Sequence, residues 1–345
     1  MADTLHHASD RSAAADLFLA GAGWSGAARH PLAGDASMRR YERVHRNGAS
    51  AILMDAPPGS GEDTAPFVRI ARHLAAIRLS PPGIIAADGA RGFLLLEDLG
   101  DDLYARLLET GRADEGTIYG AAVDVLAHLQ SCPAPAGLPA WGVAEMAEAA
   151  CLAATWYAWG ATGTRPDPAP LRDAMVAILA ARSEGRPVLV LRDYHAENLI
   201  WLPGRAGIAR VGLLDFQNAE MGQPGYDLIS LVQDARRDVA PATAEAMTAR
   251  FAAATGREHA ALARACAALG AQRALRILGV FARLWLRDGK PGYLRLIPRV
   301  WGQLQLNLAD PGLADLGRVV AGMLPPPTDA VLAAIKDRCP PAPPR

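Results

Sequence analysis

The clearest chemical signal is an Asp and an Asn five residues apart, followed along the chain by a second Asp that ends an apolar run. These residues are Asp193, Asn198 and Asp215. Phosphoryl transfer needs a carboxylate that orients the attacking hydroxyl and accepts its proton, and it needs hard oxygen ligands for Mg²⁺. The spacing therefore predicts phosphoryl transfer, with Asp193 as the base and Asn198 and Asp215 as magnesium ligands. A polar turn between two strands is the alternative, so the prediction depends on the elements around it.

The first hundred residues favour an antiparallel sheet crossed by one helix. Asn47-Gly48 separates two extended segments, and this pair favours a type I′ hairpin because both central residues need positive φ. A second hairpin is predicted across Asp88-Gly89. Between the hairpins, apolar residues at spacings of three and four predict a helix, namely Phe67, Ile70, Leu74 and Ile77. The predicted order is strand, strand, strand, helix, strand, strand.

From Leu103 onward, long helices rich in alanine and leucine dominate. They are predicted at residues 118–129, 143–159, 171–183, 226–234, 242–254 and 259–286. One β interruption surrounds the polar segment, at residues 188–191, 199–202 and 209–214. The fold class is therefore predicted as α+β and two-lobed, with a small antiparallel β lobe at 1–99 and a large helical lobe at 100–345. We expect a nucleotide to bind between such lobes.

Bulk properties exclude several other classes of protein. A net charge of −1 argues against a general nucleic-acid binder. The four cysteines show no CxxC spacing, which favours free thiols in a reducing compartment over a zinc site or disulfides. The N-terminus lacks the basic region of a signal peptide, and no charge-free run reaches about 18 apolar residues. We expect a cytoplasmic monomer with neither nucleic-acid nor membrane partners.

Along essentially its whole length, the sequence resembles the aminoglycoside phosphotransferase-like, or choline-kinase-like, family. The resemblance is carried by GDASMRRYERV at 34–44, AILMDAPP at 51–58, FLLLEDLGDDLY at 93–104, RDYHAENLIWL at 192–202 and the segment 212–239. It implies a protein-kinase-like fold with ATP as the phosphate donor and Mg²⁺ as the cofactor. It also implies Asp193 as the base, Asn198 and Asp215 as metal ligands, and the connector Glu97–Leu99 as the adenine hinge.

The details are most similar to the anomeric sugar kinases that phosphorylate the C1 hydroxyl of N-acetylmuramate or N-acetylglucosamine in peptidoglycan recycling. The resemblance places His195, Gln217, Arg236 and Arg237 on the acceptor side. His195 could contact the sugar or bind the loop backbone, and the two arginines could bind a lactyl carboxylate or lie solvated at a helix end. An aminoglycoside, choline or homoserine acceptor, or a pseudokinase without catalysis, are the alternatives.

The sequence departs from the family pattern at two positions. Leu191 replaces the histidine that usually begins the catalytic loop, and Met54 replaces the strand lysine that binds the nucleotide phosphates. A cation is still needed there, because phosphoryl transfer develops negative charge on the phosphates. Arg39 and Arg40 follow the loop 34–37, which lies where a phosphate-covering loop belongs and whose Ser37 is predicted to contact ATP. Alternation along a strand would direct only one of the two arginines to the nucleotide. We favour Arg40, with solvated surface arginines as the alternative.

Two further motifs are given structural interpretations. Gly21 to Gly26 formally matches GxGxxG, but a helix precedes it and Pro31 follows, so it is interpreted as a helix cap rather than a dinucleotide site. Asp227 begins a predicted helix. It is interpreted as a helix N-terminal carboxylate that anchors the catalytic loop, with an active-site acid as the alternative.

Overall fold

The structure is a computed structural model of the 345-residue chain, and it describes residues 2–32, 39–59, 63–183 and 185–338. The predicted contact of Ser37 with ATP and the loop that carries this residue lie outside the described residues. So does the proline-rich tail that follows residue 338.

The strands of the described residues are β1 (Ala28–Pro31), β2 (Arg40–Arg46), β3 (Ala49–Asp55), β4 (Ile84–Asp88), β5 (Phe93–Glu97), β6 (Val188–Val190), β7 (Leu199–Trp201), β8 (Val211–Leu213) and β9 (Glu220–Gly222). The α-helices are α1 (Ala2–Gly21), α2 (Ala65–Ala76), α3 (Tyr104–Glu109), α4 (Glu115–Ser131), α5 (Val143–Ala150), α6 (Trp159–Thr162), α7 (Ala169–Ala181), α8 (Tyr226–Val232), α9 (Pro241–Thr255), α10 (His259–Leu286), α11 (Ile297–Leu308), α12 (Ala314–Met323) and α13 (Asp329–Asp337).

The chain forms two compact units. The first comprises residues 1–112 and 197–218, and the second comprises residues 113–196 and 219–345. The segment that contains β7 and β8 therefore belongs to the unit of the N-terminal sheet, although it lies far along the chain. The compact units are defined by contacts within the chain, whereas the lobes at 1–99 and 100–345 are a predicted division by function, and that functional division stays a prediction.

The first unit contains an antiparallel five-stranded sheet with the order β1-β2-β3-β5-β4. Asn47 and Gly48 have φ values of 50° and 79°, which confirms the predicted hairpin turn. The second hairpin is longer than predicted, because four residues separate β4 from β5. The side chain of Asp88 accepts a hydrogen bond from Arg91 N at 2.9 Å, and this contact stabilises the longer turn.

Helix α1 packs on one face of this sheet. Its Phe18 ring lies 5.5 Å from the Phe93 ring, centroid to centroid, and Val44 of β2 belongs to the same buried cluster. Arg11 of α1 lies over the Phe93 ring and pairs with Asp55 of β3. The glycines after α1 form its cap, since Trp24 N donates to Leu19 O at 2.7 Å. This geometry confirms the structural interpretation of the GxGxxG match.

The second unit is built around α10, whose 28 residues match the predicted range. By length and composition α10 could cross a membrane, but 83% of its most apolar window is buried inside the protein. The predicted helix 143–159 is interrupted by a π-helical stretch at Ala153–Ala158. A Cβ at Gly279 of α10 would lie only 2.2 Å from the backbone carbon of Leu152, so α10 approaches the chain closely where the interruption begins.

The predicted β interruption at residues 188–214 forms parts of two small sheets. Strand β7 pairs with β8, and β6 pairs with β9. Strand β9 was not predicted, because a three-residue strand of sequence Glu-Met-Gly carries no clear periodicity. Each of the two pairs lies within one compact unit.

Candidate active site

The pairing of β7 with β8 brings the two predicted magnesium ligands to the same end of this sheet. Asn198 directly precedes β7, Asp215 follows β8 by two residues, and Leu199 lies opposite Leu213. Leu214 N donates to Asn198 O at 2.9 Å, which extends the pairing to the site itself. Asp215 has a φ of 55°, a conformation that is strained for a residue with a side chain.

Neighbouring side chains hold Asp215 in place. Gln217 Nε2 donates to Asp215 Oδ1 at 2.6 Å, so the residue predicted on the acceptor side contacts a predicted metal ligand. Phe216 is fully buried, with its ring 4.9 Å from that of Phe67 in α2. One face of the Asp215 turn is therefore packed and the carboxylate is oriented by an amide.

These two oxygen donors fit Mg²⁺. Magnesium prefers hard oxygen ligands, takes one or two carboxylates from the protein, and receives the rest from phosphates and water. Asp215 and Asn198 supply one carboxylate and one amide oxygen. Elsewhere in the described ranges, no group of three or more His, Cys, Asp or Glu side chains is placed to bind a metal ion.

The predicted adenine hinge is tied to the same unit. Glu97 ends β5, and its carboxylate pairs with Arg205 and accepts a hydrogen bond from Gly83 N at 3.1 Å. A Cβ at Gly212 of β8 would lie 3.1 Å from Leu99 Cδ1, so Leu99 packs directly on β8. The Glu97 side chain is thus committed to structural contacts, and recognition of adenine would depend on the backbone of the connector.

The strand register discriminates between the two candidate phosphate cations. Met54 is fully buried and lies opposite Tyr41 of β2. Arg40 lies opposite Asp55, and alternation places it with Val44 on the face that α1 covers. Arg39 comes one residue earlier and falls by alternation on the face of Tyr41 and Met54. The register therefore favours Arg39, whereas the sequence favoured Arg40.

The segment 191–198, which is predicted as the catalytic loop, begins with a strained turn. Arg192 has a φ of 72°, and Asp193 N donates to Leu191 O at 2.9 Å, which closes a three-residue turn. Asp227, in the first turn of α8, accepts hydrogen bonds from Leu191 N at 2.6 Å and from Arg192 N at 2.8 Å. This contact confirms the interpretation of Asp227 as the anchor of the loop. Because Asp193 directly follows the turn, Asp227 fixes the start of the segment that carries the predicted base.

The environment of Asp227 combines opposing effects. The residue is 0% exposed, and burial raises its pKa to about 7, whereas the two backbone hydrogen bonds lower the pKa. Arg192 is stabilised independently, since its guanidinium pairs with Glu220 and lies 3.6 Å from the centroid of the Trp141 ring. The turn is therefore held both by the hydrogen bonds of its backbone amides to Asp227 and by the contacts of the Arg192 side chain.

His195 is a buried, neutral imidazole. It is 6% exposed, and burial together with the positive charges of Arg236 and Arg273 lowers its pKa well below the usual value. Arg236 Nη1 lies 3.4 Å from His195 Nε2. Since a guanidinium can only donate, Nε2 accepts and the ring proton lies on Nδ1. His195 can therefore donate a hydrogen bond, but it cannot replace Asp193 as a base through Nε2.

The two predicted acceptor arginines have different surroundings. Arg237 pairs with Glu115 at 3.4 Å and lies 5.9 Å from the centroid of the Tyr119 ring. Arg236 contacts His195, as described above. Sequence reasoning missed two further arginines of the second unit, Arg273 and Arg276 of α10. Charged residues three positions apart in a mostly apolar helix were the signal that could have identified them.

Comparison with known proteins identifies the family of this constellation. The model of the phosphotransferase enzyme family matches residues 29–265. The chain belongs to this family. A relative from Caulobacter vibrioides, named N-acetylmuramate/N-acetylglucosamine kinase, is 41% identical over 348 residues, covering 89% of this chain and 95% of the relative.

Solved structures agree on the fold of this kinase. The choline kinase of Streptococcus pneumoniae aligns with a TM-score of 0.57 and 15% identity, over 83% of this chain and 93% of the other. An ADP-bound aminoglycoside phosphotransferase aligns with a TM-score of 0.53 and 13% identity, over 81% and 92%. The predicted two-lobed, protein-kinase-like fold is thus confirmed.

The two compact units divide the predicted site residues of the kinase by chemical role. The nucleotide and metal residues of the described ranges lie in the first unit, namely Arg39, Arg40, Glu97, Leu99, Asn198 and Asp215. Gln217 lies there too. The second unit contains Asp193, His195, Arg236 and Arg237. The chain thus passes from the unit of the predicted base to the unit of the predicted metal ligands between residues 196 and 197.

Proposed function

We propose that this kinase transfers the γ-phosphate of ATP to the anomeric C1 hydroxyl of N-acetylmuramate, N-acetylglucosamine or both. The product would be the sugar 1-phosphate, formed during peptidoglycan recycling in the cytoplasm by a monomeric enzyme. The observation that carries the proposal is the strained turn that Asp227 holds directly before Asp193, on a chain whose relative bears the name of this kinase. A protein that only bound nucleotide would not need a fixed base.

Each residue of the proposal has one role. Asp193 orients the acceptor hydroxyl and takes its proton. Asn198 and Asp215 hold Mg²⁺, which when bound neutralises charge on the phosphates. We infer that Arg39 supplies the cation that Met54 cannot, because a guanidinium binds phosphate oxygens in a bidentate manner.

The surrounding residues complete the proposed site. Glu97 and Leu99 present the connector backbone to adenine in the nucleotide-binding lobe, residues 1–99. His195 donates a hydrogen bond through Nδ1 to the acceptor or to its loop, in the catalytic lobe, residues 100–345. Gln217 acts on the metal site by orienting the Asp215 carboxylate. Its position there supports a role with the metal in addition to the predicted one with the acceptor.

An ATP-consumption assay with Mg²⁺ on both sugars tests the proposal, with phosphorus NMR to locate the phosphate on the product. We expect a sugar 1-phosphate with the wild type, and a rate about 10²- to 10⁴-fold lower with Asp193→Asn, the usual effect of losing a positioned base. A product phosphorylated at another hydroxyl would refute anomeric transfer. Absence of turnover on both sugars, with ATP still raising the melting temperature, would indicate a different acceptor or a nucleotide-binding protein without catalysis.

A further inference from the structure

Arg273, in the middle of α10, is a buried cation that forms no ion pair with any residue in the described part of the chain. The residue is 5% exposed, and its Nη1 donates one hydrogen bond, at 2.8 Å, to Gln233 O at the end of α8. Among the residues that the structure describes, its Nε has no hydrogen-bond partner and no carboxylate forms an ion pair with its guanidinium. Some more exposed arginines of this unit are paired, for example Arg250 with Asp124 and Arg299 with Asp238.

This arrangement is unfavourable for the protein alone. Burial of a charge is strongly unfavourable unless the charge is paired and hydrogen-bonded. Burial lowers the pKa of Arg273, but a guanidinium stays protonated in proteins, so the residue cannot escape the penalty by becoming neutral. An anion that binds from solution would supply the missing partner.

The carboxylates around Arg273 act on it from a distance and have other contacts. The charges of Asp234 and Asp193 act on Arg273, and Arg276 lies one helical turn farther along α10. Asp234 is buried and is already engaged by Arg236 N, which donates to its Oδ1 at 2.8 Å. Asp193 and Glu220 also act on Arg276, so the surrounding carboxylates are shared between guanidiniums. Arg273 lies in the same compact unit as the predicted base, within reach of its charge.

We propose that Arg273 binds the carboxylate of an acidic acceptor, so that the kinase prefers N-acetylmuramate, which carries a lactyl carboxylate, to N-acetylglucosamine, which carries none. The identity of these two sugars rests on the proposed function above. Arg273 takes this role in place of Arg237, because the guanidinium of Arg237 is already paired with Glu115. Asp193, whose charge reaches Arg273, would act on the C1 hydroxyl of the same sugar ring.

Steady-state kinetics with both sugars test the role of Arg273. We expect Arg273→Gln to lower kcat/KM for N-acetylmuramate by about 10- to 100-fold, the effect of losing one hydrogen bond to a charged group. The value for N-acetylglucosamine should change by less than about 3-fold, because no carboxylate is present there. Arg264→Gln is the matched control, since Arg264 lies on the same helix with 52% of its side chain exposed. An equal loss on both sugars, or no loss, would overturn the proposal and leave Arg273 as a cap of α8.

A second measurement does not depend on the variant being folded. The wild type is assayed with N-acetylmuramate and with its methyl ester, which carries one additional methyl group and no negative charge. We expect the ester to lose about the same factor as Arg273→Gln loses with the acid. An ester that reacts as well as the acid would overturn the proposal.

A binding experiment separates this inference from the proposed function. The melting temperature is measured with D-lactate and with neutral D-lactamide, at equal ionic strength, for wild type and Arg273→Gln. We expect D-lactate alone to stabilise the wild type and neither compound to stabilise the variant. If this holds while neither sugar is phosphorylated, the proposed function fails and the anion site stands. If both sugars are phosphorylated but D-lactate stabilises both proteins equally, the anion site fails and the proposed function stands.

Discussion

Replacing Asp227 with Asn tests whether a single buried carboxylate positions the base. The carboxylate accepts hydrogen bonds from Leu191 N at 2.6 Å and Arg192 N at 2.8 Å, and it is 0% exposed. An Asn side chain has nearly the same shape but only one acceptor oxygen, so its NH₂ group would face one of the two amides. A buried donor left without a partner costs about 1–3 kcal/mol, and the free energy of unfolding should fall by about that amount.

The effect on catalysis follows from the position of the turn. Asp193 comes directly after Arg192, whose φ of 72° is strained and persists only while the surroundings hold it. A shift of the base by about 1 Å can lower the rate about 10²-fold, so we expect kcat to fall by about that factor with KM for ATP nearly unchanged.

Urea unfolding and steady-state kinetics measure both effects. The matched control is Asp238→Asn. Asp238 follows α8 in the chain, and 82% of its side chain is exposed in its pair with Arg299. We expect that control to change stability by less than about 1 kcal/mol. If Asp227→Asn keeps both its stability and its kcat within the range of the control, the carboxylate does not hold the turn and the reasoning is wrong.

Four further outcomes are expected. Because burial raises the pKa of Asp227 to about 7, its contribution to stability is greatest at low pH and is lost as the pH rises through 7. The free energy of unfolding of the wild type minus that of Asp227→Asn should therefore fall by about 2–3 kcal/mol from pH 5 to pH 8. A flat difference would show that the two amide hydrogen bonds outweigh burial. The His195 ring should stay neutral, with its proton on Nδ1, from pH 5.5 to pH 8 in nitrogen-15 NMR spectra, and a titration in that range would contradict its burial beside Arg236. Arg39→Ala should raise KM for ATP about 10-fold or more while Arg40→Ala leaves it unchanged, and the reverse pattern would refute the assignment of strand faces. Gln217→Leu should raise the Mg²⁺ concentration for half-maximal activity about 10- to 100-fold, whereas an unchanged Mg²⁺ dependence would show that its contact with Asp215 does not tune the metal.

Local patterns were sufficient to predict much of the fold. Asn47-Gly48 predicted a hairpin because its turn chemistry is contained in two residues, and the apolar period of α10 predicted a helix with both ends correct. The order of strands and helices in the first unit followed from the same kind of signal. The spacing of Asp193, Asn198 and Asp215 is itself the chemical pattern that predicts a base and two metal ligands, and these roles stay predictions.

Tertiary structure decided the features that depend on residues far apart in the chain. The pairing of β6 with the three-residue β9, and the interruption of the helix at Ala153–Ala158, arise from contacts that no short window of sequence contains. The faces of Arg39 and Arg40 depended on which side of the sheet α1 covers.

The chemistry predicted for residues 191–198 follows from sequence alone, because the types and spacing of these side chains are local. The sequence did not determine which charges are paired. Residue type alone does not distinguish Arg237 from Arg273. In the structure Arg237 pairs with Glu115, whereas Arg273 is buried without a carboxylate partner among the described residues. Charge pairing depends on distances of a few ångströms between segments that only the folded chain brings together, and for this reason the candidate anion site was visible only in the structure.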